Sequence, residues 1–223
     1  MAQTCPMSTS LTSARMYTAE LQSVINRLDT GAIDRIADVI YQAYLEESTV
    51  FVVGNGGSAT LATHVACDLG KNISCGVKRI RAISLTDNIA MLTAWANDLN
   101  YESVFAEQLR NLVRPGDVVF AISASGNSKN ILRAIEVGRD AGARIVGVTG
   151  YRGGMMKPLC DLCFVVPSDN MQVIEDLHTV ASHAIATILY NRVISESRFE
   201  DVGRFELVQL GPDLEPQIDN CAA

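Results

Sequence analysis

Val50-Phe-Val-Val53 is a short apolar run that stops in Gly54-Asn-Gly-Gly57, and Ser58 then opens a helical pattern. Four residues rich in β-branched and aromatic side chains are too few for a buried helix, so the run predicts a strand covered on both faces. A strand that passes through glycines into a helix is a βα unit. The glycines let the backbone turn sharply and approach a ligand closely. Free N–H groups at the helix start, with the positive end of its dipole, favour an anion such as phosphate. The competing reading is a plain tight turn, because the spacing is neither that of a P-loop nor G-x-G-x-x-G. His64 and Asp68 lie four residues apart on the same helix and so share a face. They form either a solvated pair or a site for proton or metal chemistry.

The same alternation continues along the chain. Two amphipathic helices, Ser13–Leu28 and Ile33–Tyr44, precede the first strand, with Gly31 read as the break between them. Strands are expected at Val50–Val53, Ile80–Leu85, Val118–Ser123, Arg144–Thr149 and Leu162–Val166. Helices are expected at Ser58–Leu69, Asn88–Ala96, Tyr101–Val113, Ser128–Ala141 and Asn170–Val193, with a helical turn at Met155–Leu159. This pattern predicts an α/β fold, a three-layer α/β/α sandwich around a parallel sheet, with two leading helices. In such sheets ligands sit beyond the carboxyl ends of the strands. Residues 1–12 read as a loose leader, 13–193 as one domain, and 194–223 as an acidic, mostly disordered or surface-lying tail. That tail carries seven acids against two bases.

Composition narrows the function. The chain has 18 Lys+Arg against 25 Asp+Glu, a net charge of −7, which argues against nucleic acid as the main partner. No apolar stretch approaches a membrane span. The first sixteen residues lack the charged-then-apolar order of a signal peptide, so a cytoplasmic location is expected. Of six cysteines only Cys160 and Cys163 stand at a suggestive spacing. Without a second such pair they read as ordinary thiols.

Ser123-Ala-Ser-Gly-Asn-Ser128 follows the Val118–Ser123 run and repeats the strand–loop–helix logic with hydroxyls in place of glycines. Ser123, Ser125 and Ser128 can each donate to a phosphate oxygen beside the helix N–H groups. With no nearby cation, the loop suits a sugar phosphate better than a nucleoside triphosphate. The simpler alternative is a helix cap by Asn127 or Ser128. On the last helix Ile174, Leu177, Ala181, Ala184, Ile185 and Ile188 form one apolar stripe, with Glu175 and His183 on the opposite side. His178 borders the stripe and reads as a core or interface residue.

Gly54-Asn-Gly-Gly-Ser58 with His64 and an acid four residues on, Asn97-Asp98, and Ser123-Ala-Ser-Gly-Asn-Ser128 together resemble the sugar isomerase (SIS) fold. Within it the chain is similar to the phosphoheptose isomerases, over about residues 13–193. The resemblance implies an aldose–ketose isomerase acting on sedoheptulose 7-phosphate through an enediol. It also implies a homotetramer with active sites built between subunits. Carried over by motif, Asn55, Gly56, Gly57 and Ser58 line the sugar, Asn97 and Asp98 contact it, and Ser123, Ala124, Ser125 and Ser128 hold the phosphate. The metal and catalytic positions hold His64, Asp68, Glu175 and His183, with Asp68 and His183 as base and acid–base partner. Glu175 also borders the substrate.

Three positions depart from the family pattern: Asp68 replaces Glu, Glu175 replaces Gln, and Val173 replaces Arg. Two histidines with two carboxylates make a strong shell for Zn²⁺. The alternatives are a non-catalytic sugar-phosphate-binding or replication-initiator-associated relative, and an isomerase or lyase for a different sugar phosphate.

Overall fold

The computed structural model describes residues 12–72 and 78–205, without the side chains of 72 and 196–205. Helices α1 (Ala14–Ile25) and α2 (Thr30–Leu45) lead into strand β1 (Thr49–Val53) and helix α3 (Gly57–Cys67). A π-helical segment, Asp68–Asn72, extends α3. Then come β2 (Arg81–Ser84), α4 (Ile89–Asp98), α5 (Val104–Leu112), β3 (Val118–Ser123), α6 (Lys129–Asp140), β4 (Arg144–Thr149), β5 (Leu162–Val165) and α7 (Met171–Phe205).

The five strands form one parallel sheet in the order β2-β1-β3-β4-β5. β1, β3 and all but the first residue of β4 are fully buried, because helices cover both faces of a parallel sheet. Side chains alternate between the two layers. Val50, Val52, Val118, Phe120, Val146 and Val148 pack toward α1, α2, α3 and α7. Phe51, Val53, Val119, Ala121 and Ile145 pack toward α5 and α6, with Leu92 and Trp95 of α4 against them. The expected three-layer α/β/α architecture is therefore the one observed. Among the described residues no helix is long and apolar enough to cross a membrane.

Local chemistry sets several boundaries away from the sequence expectation. Gly31 lies inside the first turn of α2 and breaks nothing. The break is made by Asp29, whose side chain caps α2 by accepting from the Ala32 N–H at 3.1 Å. Residues 101–113 are not one helix: Tyr101–Ser103 is 3-10, and α5 starts at Val104. The last helix does not stop at Val193 but continues to Phe205, so residues 194–205 are helical and not loose tail. The leader through residue 11 and residues 206–223 lie outside the described residues. Cys160 and Cys163 are free, half-buried thiols, as expected.

Candidate active site

The strand order reverses between β1 and β3, because the chain runs outward to β2 and then returns to the other side of β1. Ligands in doubly wound sheets bind at this switch, outside the carboxyl ends of the two strands. The glycine loop follows β1 and the serine loop follows β3, so both expected cradles open into the same crevice.

In the glycine loop, Gly56 stands at the start of α3 with φ 54° and gives the helix no side-chain cap. The Glu175 carboxylate takes up part of this end: its oxygens lie 3.2 and 3.3 Å from where a Gly57 Cβ would stand. A negative charge at a helix N-terminus is favourable, so this mouth already holds an anion supplied by the protein. The serine loop does not. Ser128 sits at the N-cap of α6, but its side chain makes no capping bond. Ser123 Oγ donates to Ser128 Oγ at 3.2 Å, and Ser125 Oγ accepts from the Asn127 N–H at 3.2 Å. Asn127, the other candidate cap, instead accepts from the Met155 N–H at 3.0 Å. The Ser125 and Ser128 hydroxyl protons and the uncapped helix start are thus left for a ligand, with the Ser123 hydroxyl committed to Ser128, and charge favours a phosphate in the serine loop.

The Gly150–Met156 segment braces that loop. Gly150 N–H and Met156 N–H donate to the carbonyls of Ala124 and Gly126 at 2.8 and 2.9 Å. Gly126 (φ 64°) and Gly154 (φ 55°) allow the two backbones to touch: a Cβ on Gly126 would stand 2.2 Å from the Gly153 carbonyl oxygen.

Helices α3 and α7 lie side by side, and a second cluster forms along them. His64 Nε2 is 3.2 Å from Asp68 Oδ2 and 3.2 Å from His183 Nε2. His183 Nε2 is 3.9 Å from Asp68 Oδ2. These ligand atoms line a cleft of about 470 Å³ with Ala186, Thr187 and Tyr190. The donors fit a tetrahedral zinc: ligands held at about 2.0–2.1 Å span roughly 3.3 Å corner to corner. Asp68 reaches the cluster despite its short side chain, and the π-helical segment starts at this residue. Among the described residues the convergent set is His64, Asp68 and His183. Glu175, the fourth expected ligand, is not part of it.

Glu175 and His183 are eight residues apart on α7, and Gly57 and His64 seven apart on α3. At 1.5 Å rise per residue the cluster lies roughly 10–12 Å along the helices from the glycine mouth. Asn97 and Asp98 end α4, are exposed, and hydrogen-bond to each other at 2.8 Å. Among the described residues no hydrogen bond joins them to either cradle of this chain. Val173, in the place of the family's Arg, is wholly buried and cannot meet a ligand. His178 is buried as expected at 1 % exposure.

Two residues at the crevice escaped the sequence reading. Asn130 pairs with Asn55, and Tyr101 donates to Asn55 Oδ1 at 2.8 Å. The only available signal was an Asn two positions beyond Ser128, which reads as an ordinary first-turn residue.

The SIS domain family matches residues 16–150. The phosphoheptose isomerase of Helicobacter hepaticus is 35 % identical over 174 residues, covering 78 % of this chain and 89 % of that protein. The chain belongs to the SIS-domain phosphoheptose isomerase family. Two solved structures of that family agree. The Francisella tularensis enzyme superposes with a TM-score of 0.74 at 28 % identity, over 81 % of this isomerase and all of that chain. The Neisseria gonorrhoeae enzyme gives 0.74 at 27 %, over 78 % and 95 %.

Proposed function

We propose that this isomerase interconverts sedoheptulose 7-phosphate and D-glycero-D-manno-heptose 7-phosphate. The observation that carries the reading is the convergence of His64, Asp68 and His183 in a cleft about two helical turns along α3 and α7 from the glycine mouth, beside which the serine cradle opens. A long open-chain sugar phosphate can place its phosphate in one and its carbonyl end at the other. Ser123, Ser125 and Ser128, with the Ala124 backbone, take the phosphate. Asn55, Gly56, Gly57 and Ser58 line the sugar, with Glu175 beside them.

Asp68 removes the proton alpha to the carbonyl, giving an enediol. His183 moves a proton between the two oxygens, and Asp68 returns its proton to the neighbouring carbon. No net electron transfer to an outside acceptor is needed. His64, Asp68 and His183 would hold a zinc ion, which when bound polarises a carbonyl as a Lewis acid. Asp68 cannot ligate and take a proton at once, so metal occupancy decides its role. A homotetramer completes the reading. It would cover α4, which buries none of its own residues and exposes Ile89 at 72 %. Asn97 and Asp98 then serve a neighbouring copy's site.

The test is turnover of sedoheptulose 7-phosphate by chelator-stripped protein, with and without Zn²⁺, followed by NMR of the aldose. Aldose is expected, and Asp68→Asn and His183→Ala should each lose roughly 10²-fold or more in kcat. Full activity in both variants would overturn the assignment of the base and its partner. No aldose under either condition would move the substrate to another sugar phosphate.

A further inference from the structure

Asn55 and Asn130 face each other across the switch point, one after β1 and the other in the first turn of α6. Asn55 Nδ2 donates to Asn130 Oδ1 at 2.8 Å, and Asn130 Nδ2 donates back to Asn55 Oδ1 at 2.8 Å. Asn130 is 3 % exposed and Asn55 is half-buried, and this reciprocal pair ties the glycine loop to the base of the serine loop.

The pair also has a direction. The Ile131 N–H donates to Asn130 Oδ1 at 3.0 Å, which fixes the side of the Asn130 amide that carries oxygen. The Asn55 amide must then present its NH₂ to that oxygen and its own oxygen to Asn130 Nδ2. Tyr101 Oη donates to the same Asn55 oxygen at 2.8 Å. An amide oxygen has two lone pairs and an amide nitrogen two hydrogens. Asn55 Oδ1 is therefore saturated, while Asn55 Nδ2 keeps one hydrogen uncommitted among the described residues.

We propose that Asn130 is a positioning residue that locks Asn55, with Tyr101, so that Asn55 meets the substrate only as a hydrogen-bond donor. The matching group on the substrate is an oxygen acceptor, a carbonyl or hydroxyl oxygen of the sugar. This rests on the isomerase reading for its substrate, but the lock itself does not.

Asn130→Asp separates the lock from mere packing. When ionised, the introduced carboxylate keeps an acceptor toward Asn55 Nδ2 but sets a second oxygen against Asn55 Oδ1. When protonated, the acid has the shape of the amide and donates to that oxygen. We expect KM for sedoheptulose 7-phosphate to rise about tenfold relative to the unaltered enzyme at about pH 8. That ratio should fall back toward one as pH drops through the protonation of the buried acid, with kcat changed less. Asn130→Ala should raise KM by a ratio that does not vary with pH. A ratio of one for Asn130→Asp, or a raised ratio indifferent to pH, overturns the proposal.

If Asn130→Ala does not fold, Asn130→Asp at low pH serves as the isosteric control. If the unaltered enzyme turns over no sedoheptulose 7-phosphate, the isomerase reading fails and the lock is decided by NMR of ¹⁵N-labelled asparagine side chains. In the unaltered protein the Asn130 amide and the one Asn55 amide hydrogen that it accepts should be protected from exchange. An Asn55 amide that loses protection in Asn130→Asp at high pH and regains it at low pH upholds the lock. An Asn55 amide whose exchange ignores both the substitution and the pH sinks it.

Discussion

His178 is the histidine of α7 that the site does not use, and burial has made it a pH liability. Among the described residues neither ring nitrogen has a hydrogen-bond partner. Burial pushes its pKa from 6.5 down to about 4; the nearby Thr149 backbone acts in the opposite direction, though it lies outside hydrogen-bonding geometry with either ring nitrogen. The folded state therefore keeps the ring neutral where the unfolded chain protonates it. Stability is fully present above about pH 6.5 and is lost as pH falls toward 4, by on the order of 3 kcal/mol. Chemical denaturation across that window should show a slope that His178→Phe removes; an unchanged slope would show that His178 does not carry it. Helical phase alone made this residue legible as core and put Glu175 and His183 on the polar side. Phase says which side of a helix a residue takes, not what faces it from another element. For that reason His64, Asp68 and His183 converge as read, whereas Glu175 turns to Gly57, one helix end away. The Asn55–Asn130 pair was invisible for the same reason, since the two amides meet only once β1 and β3 are neighbours.

The elements carry the site by the way their ends are finished. α3 and α6 both start without a side-chain cap, which leaves N–H groups for a ligand at the cost of local stability. The serine loop is held by its neighbour in place of a cap, and the contact tolerates no added atom. Gly126→Ala would impose a positive φ on an alanine and drive its Cβ into the Gly153 carbonyl. The expected cost is about 1–3 kcal/mol of stability, and KM for the sugar phosphate should rise more than kcat falls. A thermal melt with steady-state kinetics checks both, and unchanged KM would show that the brace does not shape the cradle. Boundaries were the least legible part of the fold. Apolar periodicity does not distinguish a 3-10 turn at Tyr101–Ser103 from the α-helix that follows it. An acidic composition over 194–223 suggested a tail, yet helix propagation from α7 carries on to residue 205. Glycine at position 31 suggested a break because its propensity is poor, but a first turn capped by Asp29 absorbs it.

At the scale of the whole molecule the alternation of strand and helix was enough to give the sheet, its layers and the crevice. What one chain leaves uncovered is apolar: Ile89, Leu99 and Met155 are 72 %, 54 % and 64 % exposed. Such side chains are normally scattered singly, and a whole helix without a buried residue is the exception. Light scattering on the purified protein should give about four times the chain mass of 24.1 kDa, and Ile89→Asp should shift it toward smaller species. A monomeric parent would refute the tetramer. The β1–β3 adjacency has a further consequence, in the order of assembly. β1 ends at residue 53 and β3 begins at 118, a separation of 65 residues, and such distant pairings are slow to form. Neither cradle can be tied to the other until that pairing is complete. The capacity to bind a sugar phosphate should therefore arise late in refolding, after most helical signal has returned, so that ligand seizes only molecules whose central strands are already in register.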